Sequence, residues 1–252
     1  MKDFELEYEQ KKNPARWGLT GSLCLGSTGL VQFIICSLIS INYFPSDEKL
    51  SDYMFSELGR STLEYSSLFN GSLIFFGLSL IPMLIYLLAL DSRQSFTMRL
   101  ATGLGIVSAL GIALIGLAPV DRNYFGHLAS VALWLFPMLY MVVPFFFSAS
   151  RHPQVSFWFI ATSLVMVVGM LAVLLGKHDS DYRLVQKMLV MCGCVWLVFI
   201  IWYIGQVGFR EIAEWEPTSQ ERVDKESESY ADDISRKKTT RHDHGRNWAS
   251  RD

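Results

Sequence analysis

The stretch FWFIATSLVMVVGMLAVLLG, residues 157–176, decides the fold. It carries no charged residue and is apolar on every face. A helix needs about 20 mostly apolar residues to cross the ~30 Å hydrocarbon layer. A membrane-barrel strand runs only about 10 residues and alternates apolar with polar. No alternation is present, so the stretch reads as a transmembrane helix.

The same pattern recurs on both sides of it. The charge-free interval around this stretch, from Arg151 to Lys177, encloses 25 residues. Toward the amino terminus, Arg16–Asp47 encloses 30, Glu64–Asp91 encloses 26, Arg99–Asp121 encloses 21 and Arg122–Arg151 encloses 28. Toward the carboxyl terminus, Lys187–Arg210 encloses 22. All six intervals clear the crossing length. Six transmembrane helices are therefore expected near 17–43, 65–89, 100–118, 127–149, 156–176 and 187–208. The fold class is an all-α, polytopic integral membrane bundle. The first interval is longer than a signal-peptide core of about 7–15 residues, so it reads as a retained helix.

The whole chain has 22 Lys+Arg and 24 Asp+Glu in 252 residues. Residues 1–16 hold four of each sign, and 208–252 hold nine basic and eleven acidic. The 191 residues between keep only nine of each. A soluble domain carries about a quarter charged residues. The distribution excludes a water-soluble globular enzyme, a collagen, a disulfide scaffold and a wholly disordered chain. It also gives three parts: a cytosolic segment 1–16, a transmembrane domain 17–208 and a charged tail 209–252, expected to be disordered.

Orientation follows from the basic residues. With the amino terminus inside, eight lie on the inner side (Lys2, Lys11, Lys12, Arg16, Arg93, Arg99, Arg151, Arg210) and six in outer loops. Positive charge favours the cytoplasmic side. Both termini are expected in the cytoplasm and the host is expected to be the plasma membrane.

Small residues recur every four positions in two spans: Gly18, Ser22 and Gly26 in the first, and Ala101, Gly105, Ala109 and Ala113 in the third. Such stripes let membrane helices approach closely. They serve packing within the chain, with a homo-oligomer face as the alternative. Pro82, Pro137 and Pro144 fall inside spans, where proline bends helices. Cys24, Cys36, Cys192 and Cys194 read as small apolar side chains. Cys192 and Cys194 stand about 200° apart around a helix and share no face, so they form no metal or redox motif. The tail is too polar to fold alone. Its basic end, from Arg236, suits an anionic leaflet or a cytosolic partner. His242-Asp243-His244 makes a poor metal cage.

The informative residues are polar groups that an apolar bundle does not need. Loops one (45–71), three (119–127) and five (177–187) share the outer side. They bring Ser56, Glu57, Asp121, His127, His178, Asp181 and Gln186 toward one rim. Asn70 lies about a turn and a half inside the second helix. An unpartnered amide in lipid costs a few kcal/mol, so Asn70 must face another helix or a wet cavity. Asp121 and His127 allow two readings. One is a carboxylate–imidazole pair for acid–base work or metal binding. The other is a rim cap at Asp121 and, at His127, an interfacial residue bonded to a loop carbonyl.

The series SELG (56–59), Phe69-Asn70 followed by Gly71 and Gly77, Pro119-x-Asp121 and His127-x-Ala129 resembles the six-helix membrane family catalogued as domain of unknown function 998. The likeness runs from about Trp17 to Val207 and includes a polar pair within Leu184–Lys187. It implies a six-helix membrane fold, with Ser56, Glu57, Gly59, Asn70, Asp121 and His127 as signature positions. It implies no activity. The family is distantly similar to a broader group linked to membrane-lipid processing and stress, an analogy of fold alone.

Three functions compete. A lipid-binding or lipid-sensing protein asks least: a polar outer rim, a groove between helices, and membrane lipid as partner. Its candidate site is Ser56, Glu57, Asn70, Asp121 and His127, with no catalytic residue assigned. A lipid hydrolase would use Ser56 as hydroxyl, Asp121 and His127 as a pair and His178 as a third group. Zinc wants three or four ligands, and His152 falls on the opposite side, so no metal and no cofactor is expected. A small-solute transporter is third. Transporters tend to carry midplane charges and repeated halves, and neither is evident. No nucleotide-binding or nucleic-acid motif is present.

Overall fold

The structure, a computed structural model, describes residues 2–45, 53–90, 96–150, 157–175 and 180–214. Six α-helices follow in order: α1 (Lys2–Asn42), α2 (Ser66–Leu90), α3 (Phe96–Leu117), α4 (Tyr124–Ser150), α5 (Phe157–Leu175) and α6 (Ser180–Glu214). A 3-10 helix, Phe55–Gly59, interrupts loop one. The described residues include no strand. The all-helical fold read from the charge-free intervals is the fold observed.

Five helices contain stretches long and apolar enough to cross a membrane: Trp17–Asn42, Ser66–Ala89, Phe96–Leu117, Tyr124–Phe147 and Arg183–Gln206. The sixth expected span is shorter. α5 has 19 residues, and at 1.5 Å per residue it is roughly 28 Å long, at the low end of a crossing. These helices mark the chain as an integral membrane protein. Outward-facing side chains agree: Val31, Ile35 and Leu38 of α1 and Val165 and Val168 of α5 are exposed. In water such a surface would aggregate; in lipid it is matched to its solvent.

α1 and α6 are longer than the spans within them, at 41 and 35 residues. The charges at 2–16, those up to Lys187 and those from Arg210 bound the apolar stretches, and a helix continues through such a boundary because its hydrogen bonds are internal. So residues 2–16 extend α1, and α6 reaches Glu214, past the expected start of the tail. The chain divides into two compact units, Met1–Phe209 and Arg210–Asp252. The described part of the second, Arg210–Glu214, is helical. The expected disorder of the tail and its histidines lie outside the described residues.

Local sequence explains the ends nearest the rim. Pro119 disfavours helical geometry at Ala118, and α3 stops at Leu117. Asn123 then caps α4: its Oδ1 accepts the Gly126 N–H at 2.9 Å. Only six residues separate these helices, so they are antiparallel neighbours.

Successive helices pack on one another from α1 to α5. The small-residue stripes are used inside the chain. Gly18 lies against Tyr86 and Gly26 against Met83, both on α2, while Gly105 lies against Met141 on α4. Gly77 lets α2 approach α3 closely, since a β-carbon there would stand 2.4 Å from the Ala109 carbonyl oxygen. α6 joins through Trp196, fully buried. Its Nε1–H donates to Ser163 Oγ at 2.9 Å, and its ring stacks on Phe159 at 6.2 Å and meets Phe145 edge-on at 6.3 Å. Leu23 of α1 touches α6 at Gly205.

Candidate functional site

Loop one contains an ordered cap, the 3-10 helix Phe55–Gly59. Met54 N–H donates to Glu57 Oε2 at 2.8 Å, one half of a capping box. Glu57 also pairs with Arg60. Phe55 is the anchor. Its ring lies edge-on to Phe69 at 5.3 Å and to Phe33 at 6.1 Å, and Phe33 stacks on Phe76 at 4.9 Å. Each such contact is worth about 0.5–1.5 kcal/mol beyond burial.

Polar side chains from three other elements hold this cap by its backbone. Asn70 Nδ2 of α2 donates to the Gly59 carbonyl at 2.8 Å. Gln186 Oε1 of α6 accepts the Phe55 N–H at 2.9 Å. Lys187 of α6 donates to the Tyr53 carbonyl and stands 4.3 Å from the centre of the Tyr53 ring. Asp121, between α3 and α4, accepts the Ser61 N–H at 3.0 and 3.1 Å and the Ser61 hydroxyl at 2.5 Å. A net hydrogen bond is worth about 0.5–1.5 kcal/mol, more when water is excluded. The cap also explains Gly59. A β-carbon there would stand 2.2 Å from Asn70 Oδ1, so only glycine leaves room for that amide.

The expectations for individual residues meet this geometry unevenly. Loops one and three and the start of α6 share one rim. Asn70 does face other protein: Gly59 on one side, and Gly116 of α3 against its backbone. His127 is buried, and its Nδ1–H donates to the Ala118 carbonyl at 2.9 Å. That is the loop-carbonyl arrangement. Asp121 bonds to Ser61, so the acid–base pair with His127 is not formed here. Among the described residues no hydrogen bond joins Glu57, Asn70, Asp121 and His127 to one another. Nor do three or more His, Cys, Asp or Glu groups gather as a metal site among them. His178 and the side chain of Asp181 lie outside the described residues.

The Ser61 hydrogen bonds hold the Asp121 carboxyl below its ordinary value, and Arg122 adds to the effect. Burial of the carboxylate acts against this but is outweighed. All four cysteines are free; Cys36 is buried, but Cys24 is exposed on α1 rather than buried.

Beneath the cap lies a space whose lining the sequence reading, which asked only for a groove between helices, did not specify. A cavity of about 100 Å³ runs inside the bundle, with walls from all six helices. Its lining is apolar apart from a few groups. Ser108 is committed, donating to the Trp134 carbonyl at 2.9 Å. Cys194 lines the wall as a free thiol. Ser56 and Gln186 sit where the cap meets the cavity. Helical spacing could have flagged the inner face of α2, where Phe69, Leu73, Phe76, Leu80 and Leu84 repeat at three and four residues, but the same pattern marks a filled core. Ser61 carried no signal at all.

Comparison of the chain with protein-family models, with curated proteins and with solved structures finds no match in any of the three.

Proposed function

We propose that this integral membrane protein binds membrane lipid at the rim built from loops one and three and the start of α6, as a lipid-binding or lipid-sensing protein. One observation carries the reading. A capped, mostly apolar cavity inside the bundle has Ser56 and Gln186, two neutral polar groups, in its lining. Apolar pockets with a few placed polar groups are the usual form of a small-ligand site. Glu57, Gly59, Asn70 and Asp121, four positions of the series read from the sequence, build or hold the cap. Under the expected orientation this rim faces outward, both termini lie in the cytoplasm and the host is the plasma membrane.

The hydrolase alternative draws less support. Ser56 has no His or carboxylate hydrogen-bonded to it among the described residues, and His127 and Asp121 each hold a backbone segment. A transporter draws least. Lys187 is the one buried charged side chain among the described residues, and it sits at the rim, engaged with the cap.

Quantitative lipid extraction from the full chain, purified in mild detergent, tests the reading. It predicts retained lipid near one equivalent, with a marked drop in Asn70→Leu, whose cap is released. Absence of retained lipid from the wild-type protein contradicts it.

A further inference from the structure

The dimensions of the cavity narrow the ligand. Phe69 and Leu84 of α2 both line it, as do Gln186 and Ile200 of α6. Those separations, at 1.5 Å per residue, make the cavity roughly 20 Å long. A volume of about 100 Å³ spread over that length leaves a narrow tube. Averaged over that length, the space between the walls is roughly 5 Å across. That is the width of one polymethylene chain, whose carbons touch neighbours at ~3.5–4.0 Å. Two chains side by side exceed that mean width.

The far part of the tube is lined by Met83, Met138, Met141 and Met166. Methionine is unbranched and adapts its shape to a flexible apolar guest. The near end differs. Ser56 Oγ and Gln186 Nε2 carry no hydrogen bond to protein among the described residues, while Gln186 Oε1 is taken by Phe55. Both can donate to an oxygen. Neither is charged, so a head that accepts hydrogen bonds suits them.

We infer that the cavity takes one linear hydrocarbon chain, inserted end-on beneath the Phe55–Gly59 cap, with its oxygen-bearing head held by Ser56 and Gln186. This rests on the lipid-binding reading and adds the ligand class: a single-chain amphiphile, either a free fatty acid or a monoacyl lipid, rather than a two-chain phospholipid. A 20 Å tube accommodates about sixteen carbons, given ~1.25 Å of length per bond for a zigzag of ~1.5 Å bonds.

Depth-resolved photocrosslinking of the full chain in bilayer nanodiscs tests this. Three probes carry a diazirine at the chain terminus: palmitic acid, monopalmitoyl glycerophosphocholine and dipalmitoyl phosphatidylcholine. A palmitic acid with the diazirine near its carboxyl is the fourth. At least one single-chain terminal probe is expected to label peptides containing Met166 or Met141. The near-carboxyl probe is expected to label the Phe55–Gly59 segment if the fatty acid is the guest. Whichever single-chain probe labels more strongly identifies the head. Gly193→Leu, which projects a side chain into the tube, is expected to reduce deep labelling at least tenfold. Should that variant fail to fold, the wild-type depth pattern still decides. Terminal probes that label only lipid-facing positions such as Leu38 and Val198 overturn the inference, as does deep labelling by the two-chain probe alone. In either case lipid retained on extraction leaves the broader reading standing, whereas no retained lipid removes both.

Discussion

Asn70 shows how a side chain that reads as part of a candidate binding site can act as a latch. Its amide donates to the Gly59 carbonyl, and Gly59 has no side chain to obstruct it. Asn70→Leu leaves that carbonyl without its donor, which costs about 1–3 kcal/mol. Thermal unfolding in detergent should show a lower Tm. Asn70→Asp should fall with it, because a carboxylate cannot donate; an unchanged Tm in both would refute the latch. Asp121 adds a pH dependence. Its folded carboxyl is held below the ordinary value, so its contribution is complete above about pH 3.9 and is lost as pH falls through the lowered folded value. Hydrogen exchange at the Ser61 amide, corrected for the intrinsic rate, should show protection at neutral pH that disappears in strong acid. Protection that is the same in Asp121→Ala would contradict this assignment. His127 belongs to the same class: charged or polar in sequence, and bonded to backbone in the fold.

At the scale of helices, the contrast between two α2 glycines is decisive. Gly77→Ala drives a β-carbon into the backbone of α3, which no rotamer relieves, so a loss of about 1–3 kcal/mol is expected. Gly71 has open space around its β position. There alanine should be neutral or stabilising by up to about 1 kcal/mol, through helix propensity alone. Comparing the Tm of the two variants checks the α2–α3 contact directly; equal shifts would argue against it. The helices themselves were legible because lipid demands an uninterrupted apolar run, and 157–176 states that demand without ambiguity. Their ends were not, because charge marks the water boundary and not the last hydrogen bond, as α1 and α6 show. The 3-10 cap was hidden for another reason. FSELG has no periodicity to read, and its order comes from partners as distant in sequence as Asn70, Asp121 and Gln186. Those partners were visible as polar residues in odd places, though not as binders of one short segment.

Among the described residues from Trp17 to Gln206, the charged groups lie at the ends of the apolar helices, and one polar cap lies over an interior cavity. The cavity could not be read from sequence, because apolar residues lining a void and apolar residues filling a core are the same letters. Both the lipid reading and the cap depend on how the chain threads the membrane. The most direct measurement is labelling of single cysteines by an impermeant maleimide in sealed, oriented vesicles, on a cysteine-free background. The test positions are Thr62 and Arg122 beside the cap, and Phe96 and Phe157 at the starts of α3 and α5, all exposed. The account predicts that Thr62→Cys and Arg122→Cys react from one side only, and Phe96→Cys and Phe157→Cys from the opposite side only. Labelling of all four from the same side would contradict it.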